Sequence, residues 1–214
     1  MQPETTGTAY RLAHAKTTVG VNDIDITRSR MGYFHNAGYF ELEGSDFREV
    51  FQLDGAPHER VLPPYVEFVK WRREFAAPRD TALVECSLEL LHCHLGRAPL
   101  DNPVPRFKAR FAKDHAWLMG EDIARFHAYS FATLRQYGAC FELAATYVRW
   151  LGERGLAGLE ATAQAFDEIA EGAKAFQFQL ARSMARAKPL DFSPLDAMGS
   201  RWERALGVLQ ARFG

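Results

Sequence analysis

A chain of 214 residues with 47% hydrophobic content can bury one substantial core, or a small domain packed on a larger one, without a metal or a disulfide framework. Lys and Arg number 26 against 27 Asp and Glu; the formal net charge of −1 provides no broad field for nucleic acid or anionic lipid, which excludes both as general partners. Three cysteines, no apolar run near the ~20 residues that cross a bilayer, and no export signal behind Met1 describe a cytoplasmic protein with neither disulfides nor a membrane span.

The first fifty residues have the composition of strands. Thr17, Thr18, Val19 and Val21 favour extended backbone, while Gly20, Asn22, Gly32, Gly38 and Gly44 punctuate it. The pattern predicts two strands, 16–24 and 33–41, joined by a polar turn around 25–30. A lone hairpin is marginal in water, so it needs a partner sheet; without one, its open edges favour self-association or local disorder. A short helix over 46–53 follows, and Pro57, Pro63 and Pro64 mark a connector into 65–73.

From Asp80 the period becomes helical. Val84, Leu88, Leu91 and Leu95 build one apolar stripe, and Val104, Phe107, Phe111 and Leu118 the next, with Asn102 and Pro103 as cap and first turn and Gly96 and Gly120 as stops. A longer helix places Phe131, Leu134, Phe141, Ala145, Val148 and Leu151 on one face and ends near 152–155. Phe166, Ile169, Ala173, Phe176, Leu180 and Met184 recur until Pro189. Met198, Trp202, Ala205, Leu209 and Phe213 supply the last stripe, with Ser193 and Pro194 as cap and first position. The expected fold class is α+β: a β-hairpin and short helix in 1–56, a connector over 57–79, and an antiparallel bundle of about five helices in 80–214.

Several stretches are more specific than this pattern. They are His14-Ala-Lys-Thr-Thr-Val-Gly-Val, the run from Gly32 to Phe47, the run from Phe131 to Leu143, and Ala173-Lys-Ala-Phe-Gln-Phe-Gln-Leu-Ala-Arg182, with Pro64-Tyr-Val-Glu-Phe-Val69 and Asn102-Pro103 between them. In this order they resemble the C-terminal portion of the bacterial family called domain of unknown function 1839. Members of that family carry a further N-terminal region with an Asn-Cys-Tyr motif at a helix start, and the resemblance implies that this chain lacks it. An early Cys, a His leading a strand and an Asn or Asp after the next hairpin are similar to papain-like folds, including bacteriocin-processing peptidases and butirosin-type acyltransferases. The resemblance therefore implies that the hairpin is the remnant of a papain-like sheet. The implied chemistry is transfer of an acyl or aminoacyl group from a thioester, without the nucleophile region. Neighbouring genes of some relatives imply a carrier-protein or phosphopantetheine thioester as partner. A helical module that docks an acyl carrier protein without catalysis, and a cysteine peptidase or amidase, are the alternatives.

On this resemblance His14 is the candidate base, at the start of a strand that would aim its imidazole outward; the plainer account is a hydrogen-bonded His at a strand end. Asn36 lies 22 residues later and would orient the imidazole of His14 if the two strands pair, or else is a turn residue before Gly38. His35 competes for that role, and Asp23 or Asp25 would supply a carboxylate instead. Cys86, Cys93 and Cys140 are expected in the core, as free cysteines usually are. Cys86, His92, Cys93 and His94 diverge around one helix, so no metal site is expected, nor any cofactor.

The helices add candidate substrate-binding residues. Arg135 and Glu142 are seven apart and share a face, with Gln136 beside them; an ion pair or hydrogen-bond network between them is the structural account. Lys174, Gln177 and Arg182 flank the stripe of the next helix, with Phe178 on its other side; if the hairpin lies over this helix, Lys174 or Arg182 would meet a phosphopantetheine phosphate, and otherwise the row is a solvated or domain-bridging edge.

Overall fold

Strands β1 (Gly20–Asp25), β2 (Arg30–His35) and β3 (Gly38–Glu43) form an antiparallel meander in the order β1-β2-β3. The computed structural model describes residues 17–35, 38–55, 65–70 and 76–214. The turn expected around 25–30 joins β1 to β2, but the second predicted strand is two strands, because His35 and Gly38 face each other across the β2–β3 ladder. Asn36 ahead of Gly38 is turn chemistry, but Tyr33, Phe34, Tyr39 and Phe40 run apolar straight across it and conceal the reversal.

Alternation gives this sheet one dry face. Met31, Tyr33 and Leu42 are buried there with Phe47, which helix α1 (Gly44–Val50) lays over them. On the opposite face Phe34 and Tyr39 meet edge to face, and the Tyr39 ring lies over Gly32, where a Cβ would come within 2.9 Å of Cζ. The outer strand β1 is exposed along most of its length, and Asp23, Asp25 and a register shift between Val21 and Asp23 make it a poor template for another strand.

The chain divides into two units, Met1–Phe75 and Ala76–Gly214. The second holds α2 (Asp80–Leu95), α3 (Val104–Leu118), α4 (Ile123–Ser130), α5 (Gln136–Glu153), α6 (Glu160–Arg186) and α7 (Ser193–Phe213). A π-helical turn, Phe131–Arg135, fuses α4 to α5, so the unit is built of five rods. The central helix, α6, packs on α5 and α7 through Ile169, Ala173, Phe176 and Leu180, all fully buried. Gly138 lets α5 approach closely: a Cβ there would stand 3.3 Å from that of Ala173 and 3.4 Å from the carbonyl oxygen of Ala170.

The π-turn corrects one expected stripe. Across the junction the buried positions are Phe126, Ser130, Leu134 and Gly138, a constant step of four. In a regular α-helix each such step drifts around the axis by about 40°. The wider π-turn absorbs the drift and keeps all four on the bundle face. Phe131, expected in the core, is consequently turned outward and 57% exposed.

Helix ends follow local chemistry. Asn102 accepts from the Val104 amide at 3.0 Å and donates to the Gly199 carbonyl at 3.1 Å, tying α3 to α7. Asp122 caps α4 by accepting from the Arg125 amide at 2.8 Å. The last helix begins one residue earlier than expected. Asp191, not Ser193, does the capping, accepting from the Ser193 amide at 2.9 Å and hydroxyl at 2.7 Å. At the other end of that connection, α6 stops at Ala187 in the left-handed region, φ 50° and ψ 41°. An L-residue with a Cβ is strained there and glycine is not. Ala187→Gly is therefore expected to stabilise the protein by about 1 kcal/mol, read as a higher midpoint of urea unfolding with an unchanged slope.

Candidate functional site

Two places collect chemistry-bearing side chains, one in each unit. In the first, His35 ends β2 half-buried, and its Nε2 lies 3.0 Å from the Thr17 hydroxyl. That contact brings the approach to β1 against the end of β2, the pairing on which the His14 and Asn36 reading depends. His14 and Asn36 themselves lie outside the described residues. Asp25 accepts from the Arg28 amide at 3.0 Å within the β1–β2 turn, and Asp23 is 3.9 Å from Arg30, so both carboxylates serve their own turn and ladder.

The cysteines are not in the core. Cys86, Cys93 and Cys140 are all exposed, and among the described residues none is hydrogen-bonded to a histidine. Both faces of α2 are apolar: Leu88, Leu91 and Leu95 turn inward, which leaves Leu83, Cys86, Leu90 and Cys93 outside. Among the described residues no group of three or more His, Cys, Asp and Glu side chains is placed to hold a metal ion. No helix there is long and apolar enough to cross a membrane.

Of the helical candidates, Arg135, Gln136 and Glu142 are exposed on α5 and the turn before it. The expected Arg135–Glu142 pair does not form. The guanidinium lies over the Phe131 ring instead, 5.9 Å from its centroid, because the π-turn brings that ring to the surface within reach. On the same edge of α5, Arg149 meets Asp167 of α6, so Glu142, seven residues before Arg149, borders the α5–α6 seam.

On α6, Lys174, Phe178, Arg182 and Arg186 follow one another at steps of four and are all exposed, Phe178 by 61%. Steps of four form a ridge on a helix. This one reads cation, aromatic, cation, cation; Gln177 lies beside it, half-buried. The ridge runs into a cleft of about 230 Å³ at the α6–α7 turn, whose lining includes Gln179, Arg182, Ser183, Arg186, Lys188 and Asp191. Arg186 and Lys188 are the members that sequence reasoning missed. The step of four from Arg182 signals Arg186, while Lys188 enters only through the turn at Ala187.

The floor of the cleft is held from below. Ser183 is buried and donates its hydroxyl proton to the Lys188 carbonyl, and the Lys188 amide donates to the Ser183 carbonyl at 3.1 Å. With that proton committed, the 3.1 Å contact from His115 Nε2 of α3 must be a donation from the ring, which sets the tautomer. Burial lowers the pKa of His115 and favours this neutral form, and Phe192 packs edge-on against the ring.

Compared with known protein families, the chain matches the model of the DUF1839 N-terminal domain over residues 1–71 and that of the DUF1839 C-terminal domain over residues 80–211. No curated protein and no solved structure matches it significantly.

Proposed function

The chain belongs to the DUF1839 family, and from that premise we propose that its helical unit is a docking module for an acyl carrier protein, a partner of negative surface charge. The observation that carries this reading is the α6 ridge of Lys174, Phe178, Arg182 and Arg186. In a chain of net charge −1 it is a local cationic row, able to steer and orient an acidic partner. Phe178, large, apolar and exposed in its middle, is the anchor such an interface needs. The cytoplasm, where carrier proteins are charged and used, is the compartment this reading requires.

Thiol acyl or aminoacyl transfer by a papain-like mechanism is the second reading, favoured by the Thr17 contact that steadies His35. A hydrolytic version would differ only in using water as acceptor.

The test is titration of the full chain with a holo acyl carrier protein, monitored by fluorescence anisotropy at low and high salt. Binding that weakens with salt is expected, and Arg182→Glu or Phe178→Asp should each weaken it by about tenfold or more, equivalent to about 1.4 kcal/mol. Gln177→Ala should leave it within about twofold. Binding indifferent to both ridge variants would overturn the docking proposal. An acyl-loaded carrier then separates the two readings: an intact thioester supports docking alone, and thioester loss that disappears in His35→Gln supports transfer.

A further inference from the structure

We infer that the cleft at the α6–α7 turn is an oxyanion site for a phosphate ester. This deepens the docking reading, and rests on it only for where the phosphate comes from. Three cations, Arg182, Arg186 and Lys188, line the cleft, and none of them forms an ion pair with a described residue. The one carboxylate in the lining, Asp191, is occupied at both oxygens by the amide and hydroxyl of Ser193. Lys108 binds Asp196 at 2.6 Å, so the neighbouring acid on α7 is also engaged. The local balance is therefore positive, with its cations uncommitted and its acids already bonded.

Geometry suits an anion with more than one oxygen. Arg182 and Arg186 are one turn apart on a ridge, and each guanidinium offers a planar fork of N–H groups that matches phosphate oxygens in pairs. Lys188 comes from across the turn and supplies a point charge from a second direction. The backbone that carries it is fixed, since Ser183 holds both the amide and the carbonyl of Lys188, and His115 holds Ser183. Gln179 adds an amide to the lining. At about 230 Å³, the space is that of roughly seven or eight waters, enough for a phosphate and the first atoms of an attached chain.

The experiment is a proton–nitrogen correlation titration of the full chain with inorganic phosphate at constant ionic strength, repeated with dimethyl phosphate as a diester probe. Saturable shifts are expected at the amides of Gln179, Ser183 and Lys188. In the Arg186→Gln/Lys188→Gln double variant the affinity should fall by about tenfold or more, whereas Arg97→Gln, at an exposed cation just beyond α2, should leave it unchanged. Both substituted residues are exposed, so the variant keeps its fold, and an unchanged dispersion of amide signals verifies that. Comparable binding of the diester would assign the site to a carrier-linked arm, and preference for inorganic phosphate to a free phosphate; both support the site. Shifts that stay linear, or that survive the double variant, overturn it. Phosphate binding lost while the carrier still binds removes the cleft and leaves the docking proposal standing. The converse removes docking and leaves the cleft.

Discussion

Phe111→Ala is expected to destabilise the helical unit by about 3–5 kcal/mol, a large share of the roughly 5–15 kcal/mol that holds an ordinary domain together. Phe111 is fully buried in α3 and is the ring on which four others converge. Phe107 is 5.5 Å away between centroids, Tyr129 5.8 Å, Phe176 5.4 Å and Phe192 6.0 Å. These come from α3 itself, α4, α6 and the residue preceding α7, so the cavity left by alanine would open at the meeting point of four segments. Three of the neighbours are held by their own contacts and cannot collapse into it. Tyr129 is fixed by its hydroxyl, which donates to Asp114 at 2.9 Å, and burial together with that carboxylate raises its pKa. Phe176 lies in the middle of α6, and Phe192 also packs on His115. Urea unfolding of the full chain, followed by helical circular dichroism, measures the loss. Trp117→Ala is the control: that side chain, on the same helix but 47% exposed, should cost about 1 kcal/mol or less. A Phe111→Ala loss no greater than the Trp117→Ala loss would mean that the convergence of rings contributes little.

How much of this was legible in the sequence differs between kinds of residue. Stripes with alternating steps of three and four, such as Phe166, Ile169, Ala173, Phe176 and Leu180, were readable because burial on one side imposes that period directly. Asn102 was readable because the orphan amides at a helix start demand an acceptor, whereas Gly96 marks the end of α2 in right-handed backbone that any residue adopts. The cysteines were misplaced for a physical reason: α2 is apolar on two sides, and composition cannot say which side meets the bundle. Leu83 at 38% and Leu90 at 56% exposure mark the side that does not. The break between β2 and β3 was hidden by apolar residues running through it, and the outward swing of Phe131 by an assumption of regular α geometry. As for the candidate site, its ridge was half read, in Lys174 and Arg182. Its cleft was not, because Lys188 joins Arg182 and Arg186 only through a left-handed turn at an alanine, a residue that does not advertise one. Arg135 was placed with the wrong partner for the same reason that Phe131 was placed in the core.

That common cause makes the π-turn the place where a one-residue deletion should be tolerated. A π-turn is equivalent to one extra residue in an α-helix. Phe126 to Gly138 spans twelve residues for three turns, where a regular α-helix takes about eleven. Removing the exposed Ala132 would change the buried step between Ser130 and Leu134 from four to three and convert the turn to plain α-helix. The buried stripe on both sides would keep its face. Deleting Thr146, equally exposed but inside regular α5, has the opposite consequence. Every buried residue beyond it, Val148 and Leu151 among them, would rotate about 100° away from α6. The Ala132 deletion is expected to retain cooperative unfolding at a cost of about 1 kcal/mol or less, and the Thr146 deletion to lose several kcal/mol or fail to fold. Urea unfolding of the two deletions, side by side, measures the difference. Equal damage from both would show that the π-turn is held by its surroundings rather than by the count of residues through it. The first variant carries a second readout. It leaves Phe131 and Arg135 three apart on a regular helix, still neighbours, and should leave the α6 ridge, and with it carrier binding, intact.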